Sequence, residues 1–308
     1  MKSQTILFLF FIFFAFSFLT SADKAKAQGC SDAGFCTIHS LKPDEQNGDL
    51  LQNNLSAGIS YGKGENGINV VSPYLEYTRN INKNFSITGK FLYSAVKGDI
   101  GSVSGAADGF ISVNNSIGAG TGLTLGLKIP FTDGNSTINS IPLPMAYQVS
   151  LGTLDIIAGI NHSHENFQFM AAFQQPLSQN KNQFFTDLYP AGSDAKNYQT
   201  TNNYKRSGDV LVRASYTFSA GNGSFKIIPA ILPIYHLSDD KFTDRTGIEY
   251  SIEGSQGLTL NGNLFLVYSI DRKNAVELSF GAPVKSRTSR PDGLTRKFAV
   301  SLEYKASF

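Results

Sequence analysis

The chain has 308 residues, of which 41% are hydrophobic, and a formal net charge of +2. Without residues 1–27 it would contain 23 basic and 23 acidic residues, so no basic excess remains to favour nucleic acid as a partner. Beyond that segment no apolar run approaches the roughly 20 residues that a membrane-spanning helix needs. The mature chain is therefore either soluble or crosses a membrane as strands, since only helices and closed barrels satisfy their backbone polar groups in lipid.

The first 27 residues have the pattern of a secretory signal peptide. Lys2 precedes an apolar run over residues 6–20, and Ala25-Lys26-Ala27 follows as an A-x-A cleavage site. The sequence predicts export and cleavage after Ala27. A retained anchor is the alternative, but the run is shorter than the roughly 20 residues required. A lipoprotein acylated at Cys30 is disfavoured because Cys30 lies well past the apolar run.

Residues 28–52 form a segment between the signal peptide and the first predicted strand, and they contain both cysteines of the chain, Cys30 and Cys36. In an oxidising compartment the expectation is one small disulfide loop. A metal site that also uses His39 is the alternative, although two thiols supply only half of a tetrahedral shell. We expect no metal or other cofactor. The segment either extends into the periplasm or folds into the barrel as a plug.

From residue 53 onward apolar and polar residues alternate with a period of two, which is the pattern of strands with one apolar face. In the last strand Leu302, Tyr304 and Phe308 share one face, and Ser301 and Glu303 share the other. Twelve such segments are predicted, over residues 53–62, 68–80, 85–97, 109–118, 121–131, 148–160, 165–175, 207–219, 223–236, 257–270, 274–284 and 296–308.

The connections between these segments alternate in length. Even-numbered connections are tight, at residues 81–84, 119–120, 161–164, 220–222 and 271–273. Odd-numbered connections are mostly long and polar, at residues 98–108, 132–147, 176–206, 237–256 and 285–295, and only 63–67 is short. Outer-membrane barrels have short periplasmic turns and long extracellular loops, whereas β-sandwiches have no such alternation. The sequence predicts an all-β fold, a transmembrane antiparallel β-barrel of about 12 strands over residues 53–308 with both termini periplasmic.

Aromatic residues support a barrel in the bacterial outer membrane, with lipid and the barrel-assembly machinery as partners. Tyr304 and Phe308 form an aromatic ending that resembles the assembly signal of such chains. Interfacial girdles are expected from residues near the short turns, namely Phe85, Phe167, Phe218 and Phe225.

The ninth segment departs from the alternating pattern. Residues 227–234 are apolar on both faces and contain Pro229 and Pro233. Because proline lacks the N–H that a ladder needs, it marks a bulge or a local break. A bulge that adjusts curvature is one interpretation, and a lateral gap beside an apolar patch of the lumen is the other.

The alternation also predicts which polar side chains face the lumen. The expected inward residues are Glu76, Lys90, Asn114, Lys128, Arg213, Asn261, Asn263, Glu277, Glu303 and Lys305. About eight strands leave an interior filled by side chains and 16–18 leave an open channel, so a barrel of about twelve can be open, narrow or plugged. These residues either line a solute pathway or form a hydrogen-bonded filling that stabilises the wall.

Three stretches are similar to a known family of outer-membrane barrels. Residues 122–130, Gly-Leu-Thr-Leu-Gly-Leu-Lys-Ile-Pro, resemble a glycine-rich strand of the phenol meta-pathway family, which belongs with the long-chain fatty-acid transporter-like barrels. Residues 147–155 and 173–177 are also similar to segments of such barrels. The resemblance implies uptake of small hydrophobic or aromatic compounds.

We therefore expect an outer-membrane channel or transporter for passive uptake of small solutes, and not an enzyme. A structural or surface-interaction barrel with ligand-binding loops is the alternative. A surface hydrolase is the third reading, since His162-Ser163-His164 has the spacing of a His and Ser used by barrel phospholipases, but the segment is predicted to be a periplasmic turn. His39 and His236 have no evident partners, and Asp239, Asp240 and Asp244 are interpreted as a solvated loop rather than a cation site.

Overall fold

A computed structural model describes residues 51–292 and 296–308. Twelve antiparallel strands form one sheet: β1 (Asn53–Gly64), β2 (Asn69–Asn80), β3 (Phe85–Gly98), β4 (Gly101–Gly118), β5 (Thr121–Pro130), β6 (Asp155–His164), β7 (Phe167–Pro176), β8 (Asp209–Tyr216, continued by Phe218–Ala220), β9 (Phe225–His236), β10 (Gly257–Ser269), β11 (Asn274–Lys285) and β12 (Arg296–Ser307). Each strand pairs with the next along the chain, and β12 pairs with β1 from Asn54↔Ser307 onward. The sheet closes on itself, so no strand edge is left unpaired.

The loops contain little further secondary structure. They include two small hairpins, Thr137–Ile138 with Ile141–Pro142 and Lys241–Thr243 with Glu249–Ser251. Short 3-10 helices lie at Met145–Tyr147, Thr186–Leu188, Asp194–Asn197 and Gly221–Gly223. Within the described residues, no helix has the length and apolar character to span a bilayer.

The two faces of the sheet are inverted relative to a soluble protein. On β2, Ser72, Glu76 and Thr78 are buried, whereas Leu75 and Tyr77 are exposed. The same inversion recurs around the barrel, with buried serines, threonines and charged residues inside and exposed Leu, Ile, Val and Phe outside. An apolar outer surface of this extent is stable in lipid and not in water. The predicted transmembrane antiparallel β-barrel is confirmed.

The two ends of the barrel differ as the connection lengths predict. We call one the short-turn end, where the turns are residues 81–84, 119–120, 165–166, 221–224 and 270–273, and where β1 begins and β12 ends. The other is the long-loop end, with connections at residues 65–68, 99–100, 131–154, 177–208, 237–256 and 286–295. The backbone N–H of Asn53 donates to the Phe308 carbonyl oxygen, and the N–H of Phe308 donates to the Asn53 carbonyl oxygen, both at 2.9 Å. These bonds join the start of β1 to the residue after β12 at the short-turn end.

Two of the predicted connections have the wrong boundaries. Residues 98–108 were expected to be a loop, but β4 begins at Gly101 and pairs with β3 across a two-residue turn. The first residues of β4 are rich in serine and glycine, which is a composition typical of loops. In the structure Val103 packs against a buried cluster that includes Leu143 and Tyr147 of the β5–β6 loop. The expected turn at residues 161–164 is the end of β6, because the chain reverses only at Glu165, whose φ is +52°, and Asn166.

Residues 148–154 were expected to begin a strand but belong to an inward-folded loop. Val149 and Leu151 pack into buried loop clusters instead of alternating across the sheet. Gly152 has a φ of +68°, and a Cβ there would collide with the backbone of Asp133. The alternating apolar residues of this segment, which predict a strand, are instead the side chains that pack the loop.

The two prolines of β9 break a ladder without producing a bulge on the β10 side. The β9–β10 register is continuous from Phe225↔Tyr268 to His236↔Gly257. The β8–β9 ladder lacks the pairs opposite Pro233 and Pro229. Proline has no N–H to donate, which explains both interruptions. The bulge interpretation is therefore wrong for this strand.

Aromatic side chains gather near both rims. Close to the short-turn end, the Tyr216 ring lies 4.7 Å from that of Phe167 and 4.6 Å from that of Phe218. Near the other end, Phe91 and Phe131 lie 5.4 Å apart. Such belts match the interfacial preference of aromatic side chains in membrane barrels.

Candidate functional site

The interior of the barrel opens at the short-turn end as a cavity of about 850 Å³, which we call the vestibule. Its wall consists mainly of inward positions on β1–β6 and β10–β12, together with residues of the turns. Amide side chains are prominent, namely Asn54, Asn80, Asn82, Asn84, Asn114, Asn115, Asn161 and Asn274. Amides both donate and accept hydrogen bonds, so this wall suits water and polar solutes.

Near Glu303, the Tyr74 side chain lies along the barrel wall across β1. Its hydroxyl donates a 2.5 Å hydrogen bond to Glu303 Oε2, and Glu303 lines the vestibule. Gly58 lies between these two residues in the sheet, and a Cβ there would overlap the Tyr74 ring. The Lys90 ammonium lies 3.9 Å from the centre of the Tyr74 ring and 3.4 Å from Glu76 Oε2. The ring is therefore fixed from three sides.

Beyond the vestibule, part of the interior is filled by apolar side chains. We call this set the apolar layer; it consists of Phe110, Ile157, Met170, Ala172, Leu211, Leu232 and Ile234, with Leu92 packed against it. This layer lies closer to the long-loop end than the vestibule does. On β4, Phe110 is four residues from Asn114 of the vestibule toward the long-loop end, and on β6 Ile157 is four residues from Asn161 in the same direction. The layer covers β4 and β6–β9 and adjoins the broken β8–β9 ladder.

The long-loop end is covered by the loop between β5 and β6, residues 131–154. Leu143, Tyr147 and Val149 are buried against Val96 of β3 and Ile68. The Tyr147 hydroxyl accepts a hydrogen bond from the Ile100 N–H at 3.0 Å. Because Val96 is an inward position, this loop occupies the mouth of the barrel instead of extending into solvent.

The β7–β8 and β9–β10 loops lock onto the β5–β6 loop. Asn182 of the β7–β8 loop donates to the carbonyl oxygens of Gly134 at 2.9 Å and Leu143 at 3.0 Å. Tyr204 packs with Leu151 and with Ile252 of the β9–β10 loop. We refer to these three interlocked loops as the loop cap.

A chain of buried charged groups joins the loop cap to the barrel wall, and we call it the ion network. Lys128 of β5 pairs with Asp155 of β6 at 3.2 Å. Arg206 of the β7–β8 loop reaches Asp155 at 3.6 Å and also pairs with Asp209 at the start of β8. Lys128 further donates to Thr153 Oγ1 at 2.9 Å, which ties the β5–β6 loop to the same group.

His236 continues the ion network into the β9–β10 loop. Its Nδ1 lies 2.7 Å from Asp209 Oδ1, and its Nε2 lies 2.8 Å from Asp240 Oδ1. Ionised carboxylates only accept hydrogen bonds, so both contacts form together when the imidazole is doubly protonated. The Tyr204 hydroxyl donates to Asp240 Oδ2 at 2.7 Å. His236 thus has two buried carboxylate partners, contrary to the sequence expectation.

The network extends to the last loop through Arg287. Its guanidinium donates to the Ser255 carbonyl at 2.6 Å and to Asp292 Oδ2 at 3.0 Å. Burial raises the pKa of Tyr204, and Asp240 raises it further. Burial opposes the charge on Arg206, yet Asp209 and Asp155 raise its pKa above the ordinary value. The arginines therefore remain charged, and the network holds paired ions.

The ten predicted inward residues all occupy inward-facing positions in the sheet. Seven are buried: Glu76, Lys90, Lys128, Arg213, Asn261, Asn263 and Glu303. Asn114, Glu277 and Lys305 are partly exposed and line the vestibule. Of this set, Asn114, Glu277, Glu303 and Lys305 line the vestibule, Glu76, Lys90 and Glu303 surround Tyr74, and Lys128 belongs to the ion network; Arg213, Asn261 and Asn263 lie elsewhere on the inward face.

The other candidate residues are placed differently from expectation. His162 and His164 belong to β6 and face outward, whereas Ser163 faces the vestibule, so these residues form no Ser-His pair. Asp240 is buried in the ion network, and Asp244 binds its own turn through Thr246. Over the described ranges, no cluster of three or more His, Cys, Asp or Glu side chains is arranged to hold a metal.

Some predictions concern residues outside the described part of the chain, namely the signal peptide, Cys30, Cys36 and His39. Tyr304 and Phe308 lie on the outward face near the short-turn end, where the Tyr304 hydroxyl donates to Asn274 Oδ1 at 2.6 Å. Sequence reasoning missed Tyr74, Asp155, Arg206 and Asp209. An aspartate at the first position of a strand that follows a long polar loop, as at Asp155 and Asp209, is the signal that was available.

Comparisons with known proteins give distant structural likenesses only. No family model matches the chain, and no curated protein sequence matches it, so the resemblance to the phenol meta-pathway family is not confirmed. The NanC porin structure is 9% identical with a TM-score of 0.45, covering 82% of this chain and 98% of that one. The CymD monoaromatic hydrocarbon channel is 10% identical with a TM-score of 0.45, covering 92% and 95%.

The toluene transporter TbuX of Ralstonia pickettii is 9% identical with a TM-score of 0.39, covering 84% of this chain and 90% of the transporter. Similarities at this level add no weight to an assignment. The class of this protein, a transmembrane β-barrel, follows from its own strand pairing and from its inverted faces.

Proposed function

We propose that the protein is a channel of the bacterial outer membrane that passes small solutes without chemistry. The short-turn end, with both ends of the barrel, would face the periplasm, and the loop cap would face the outside. The observation that carries the proposal is the 850 Å³ polar vestibule, which leads into the barrel and is limited by inward side chains. Such restrictions regulate a pore, whereas a purely structural barrel of this size needs no vestibule.

Conductance across planar lipid bilayers tests this proposal. We expect discrete current steps from the folded full-length chain, and swelling of liposomes in small neutral solutes. Replacing the inward loop segment at residues 136–147 with a short glycine-serine linker should raise the conductance, because that segment occupies the mouth. A matched deletion of residues 187–197, the outer part of the β7–β8 loop, should leave conductance unchanged. A heat-modifiable, correctly inserted barrel that never conducts and admits no solute would refute the channel.

A second function is supported by the loop cap itself. Three loops joined by buried hydrogen bonds and side-chain packing form a continuous outer surface, which suits recognition of a ligand outside the cell. Residues 187–197 would then carry binding, because they are mostly exposed and are anchored to the β5–β6 loop by Tyr189, which donates to the Pro142 carbonyl oxygen at 2.9 Å. Deleting them should abolish capture of the ligand and preserve the barrel. Unchanged binding to cells after that deletion would remove this alternative.

A further inference from the structure

Within the described residues, one side of the barrel wall carries mostly small inward side chains. The inward positions of β11, β12 and β1 beyond the vestibule form what we call the small-residue wall: Ser279, Gly281, Ala299, Ser301, Ser60 and Gly62. Three of its serines lie in one cross-strand row, since Ser279 pairs with Ser301 and Ser301 pairs with Ser60. The apolar layer lies on the other side, on β4 and β6–β9.

Exposure differs between these two sides. Ser60, Ser279 and Ser301 are partly exposed although they face inward. Ser112 of β4 and Ser215 of β8 also face inward but are only 3% and 5% exposed. These three serines are therefore less closely covered than the inward serines of β4 and β8, whereas Gly62 and Gly281 of the same wall are buried and Gly281 lies under the Asn263 amide. The apolar layer fills the opposite side.

Unpaired polar groups lie at the edge of this wall. Asn261 of β10 pairs in the sheet with Pro283 of β11 and is 1% exposed. Neither its amide oxygen nor its amide nitrogen has a hydrogen-bond partner within the described chain, and the same holds for Thr259 Oγ1. Leaving such groups unsatisfied costs on the order of 1–3 kcal/mol each. Because these atoms are buried, a solute at the wall meets the serines and not Asn261 or Thr259.

The small-residue wall begins where the vestibule ends. Glu303, which lines the vestibule, is one inward position before Ser301 on β12. Its carboxylate is held by Tyr74, and the bond crosses Gly58 of β1. A solute that leaves the vestibule along this wall must therefore pass the Tyr74–Glu303 pair and then meet serine hydroxyl groups.

We propose, building on the channel function above, that the permeation path follows the small-residue wall and takes small uncharged hydrogen-bonding solutes such as polyols. Serine hydroxyls both donate and accept hydrogen bonds, so they replace the water that a polyol loses on entry. The side chains of the apolar layer are buried against one another, so the path does not run through this layer. Tyr74 and Glu303 set the size limit at the entrance.

Cysteine accessibility tests the position of the path. In a full-length background with Cys30→Ser and Cys36→Ser, single variants Ser60→Cys and Ser301→Cys are compared with Ser112→Cys and Ser215→Cys. The folded proteins in liposomes are treated with a small cationic methanethiosulfonate, and modification is followed by mass spectrometry, with denatured samples as the measure of full labelling. We expect labelling at positions 60 and 301 at least tenfold faster than at positions 112 and 215, since a factor of ten corresponds to about 1.4 kcal/mol in access. Equal rates at all four positions, or no labelling at 60 and 301, would overturn the path.

Conductance and arabinose uptake by the same proteins separate this inference from the proposed function. Modification of the Ser301→Cys variant should reduce both, and treatment of the Ser215→Cys variant should change neither. Labelling at position 301 without loss of conductance or uptake would overturn the path even though the channel stands. A barrel that labels at position 301 but never conducts, before or after treatment, would instead refute the channel function and with it the solute class.

Discussion

Replacing Asp209 with alanine removes the carboxylate at the centre of the ion network. Asp209 accepts hydrogen bonds from His236 at 2.7 Å and from Arg206, and all three side chains are at least nine-tenths buried. It connects the β7–β8 loop to β9. Its loss should weaken the attachment of the loop cap to the barrel rim.

The expected cost follows from the partners that remain. Removing one partner of a buried ion pair typically costs about 3–5 kcal/mol, because the other charge is left buried without compensation. Here Arg206 keeps Asp155 at 3.6 Å and His236 keeps Asp240 at 2.8 Å. Because each cation keeps one carboxylate partner, we expect a loss of unfolding free energy at the lower end of that range, about 3 kcal/mol.

Reversible urea unfolding in lipid vesicles measures this change. The chain has no tryptophan, so far-ultraviolet circular dichroism and electrophoretic mobility report folding. Glu249→Ala is the matched control, because Glu249 pairs with Lys241 and Lys205 in the same loops but at exposed positions, where such pairs contribute about 0–1 kcal/mol. If Asp209→Ala costs less than about 1 kcal/mol, or no more than the control, the ion network does not hold the cap.

Three further predictions concern other parts of the barrel. Gly58→Ala should push the Tyr74 ring away from the wall into the lumen and lower single-channel conductance, because a Cβ at Gly58 would overlap that ring; an unchanged conductance would show that Tyr74 does not limit the path. Leu302→Arg should destabilise the barrel by about 2–4 kcal/mol in urea unfolding, since Leu302 is 49% exposed to lipid near the middle of β12, and a neutral result would contradict the membrane orientation of that face. The pKa of Glu249 is lowered from 4.5 to about 2 by hydrogen bonds from Lys205 and then Lys241, so its contribution to the hairpin is present above pH 4.5 and disappears as the pH falls through about 2. Carboxyl NMR of Glu249 should therefore titrate near pH 2, and a midpoint near 4.5 would rule out these contacts.

Sequence alone was sufficient for the strands and for the two ends of the barrel. Lipid outside and polar groups inside impose a period of two on every strand, and each strand records both environments in consecutive residues. Leu302 and Glu303 illustrate this, because they are neighbours in the chain yet lie 49% and 4% exposed on opposite faces. Most connection lengths reflect topology in the same local way and were readable, but the long loop expected at residues 98–108 is a two-residue turn.

Tertiary structure alone decided how the interior is filled. Asp209 and His236 are 27 positions apart, and Tyr74 and Glu303 are 229 apart, so no local pattern links either pair. The alternation of apolar residues over 148–154 is compatible both with a strand and with a loop that packs into the barrel mouth, so the sequence could not distinguish them. Closing the sheet brings distant inward positions face to face, and their sizes and charges then determine which side of the lumen is closed and which stays open.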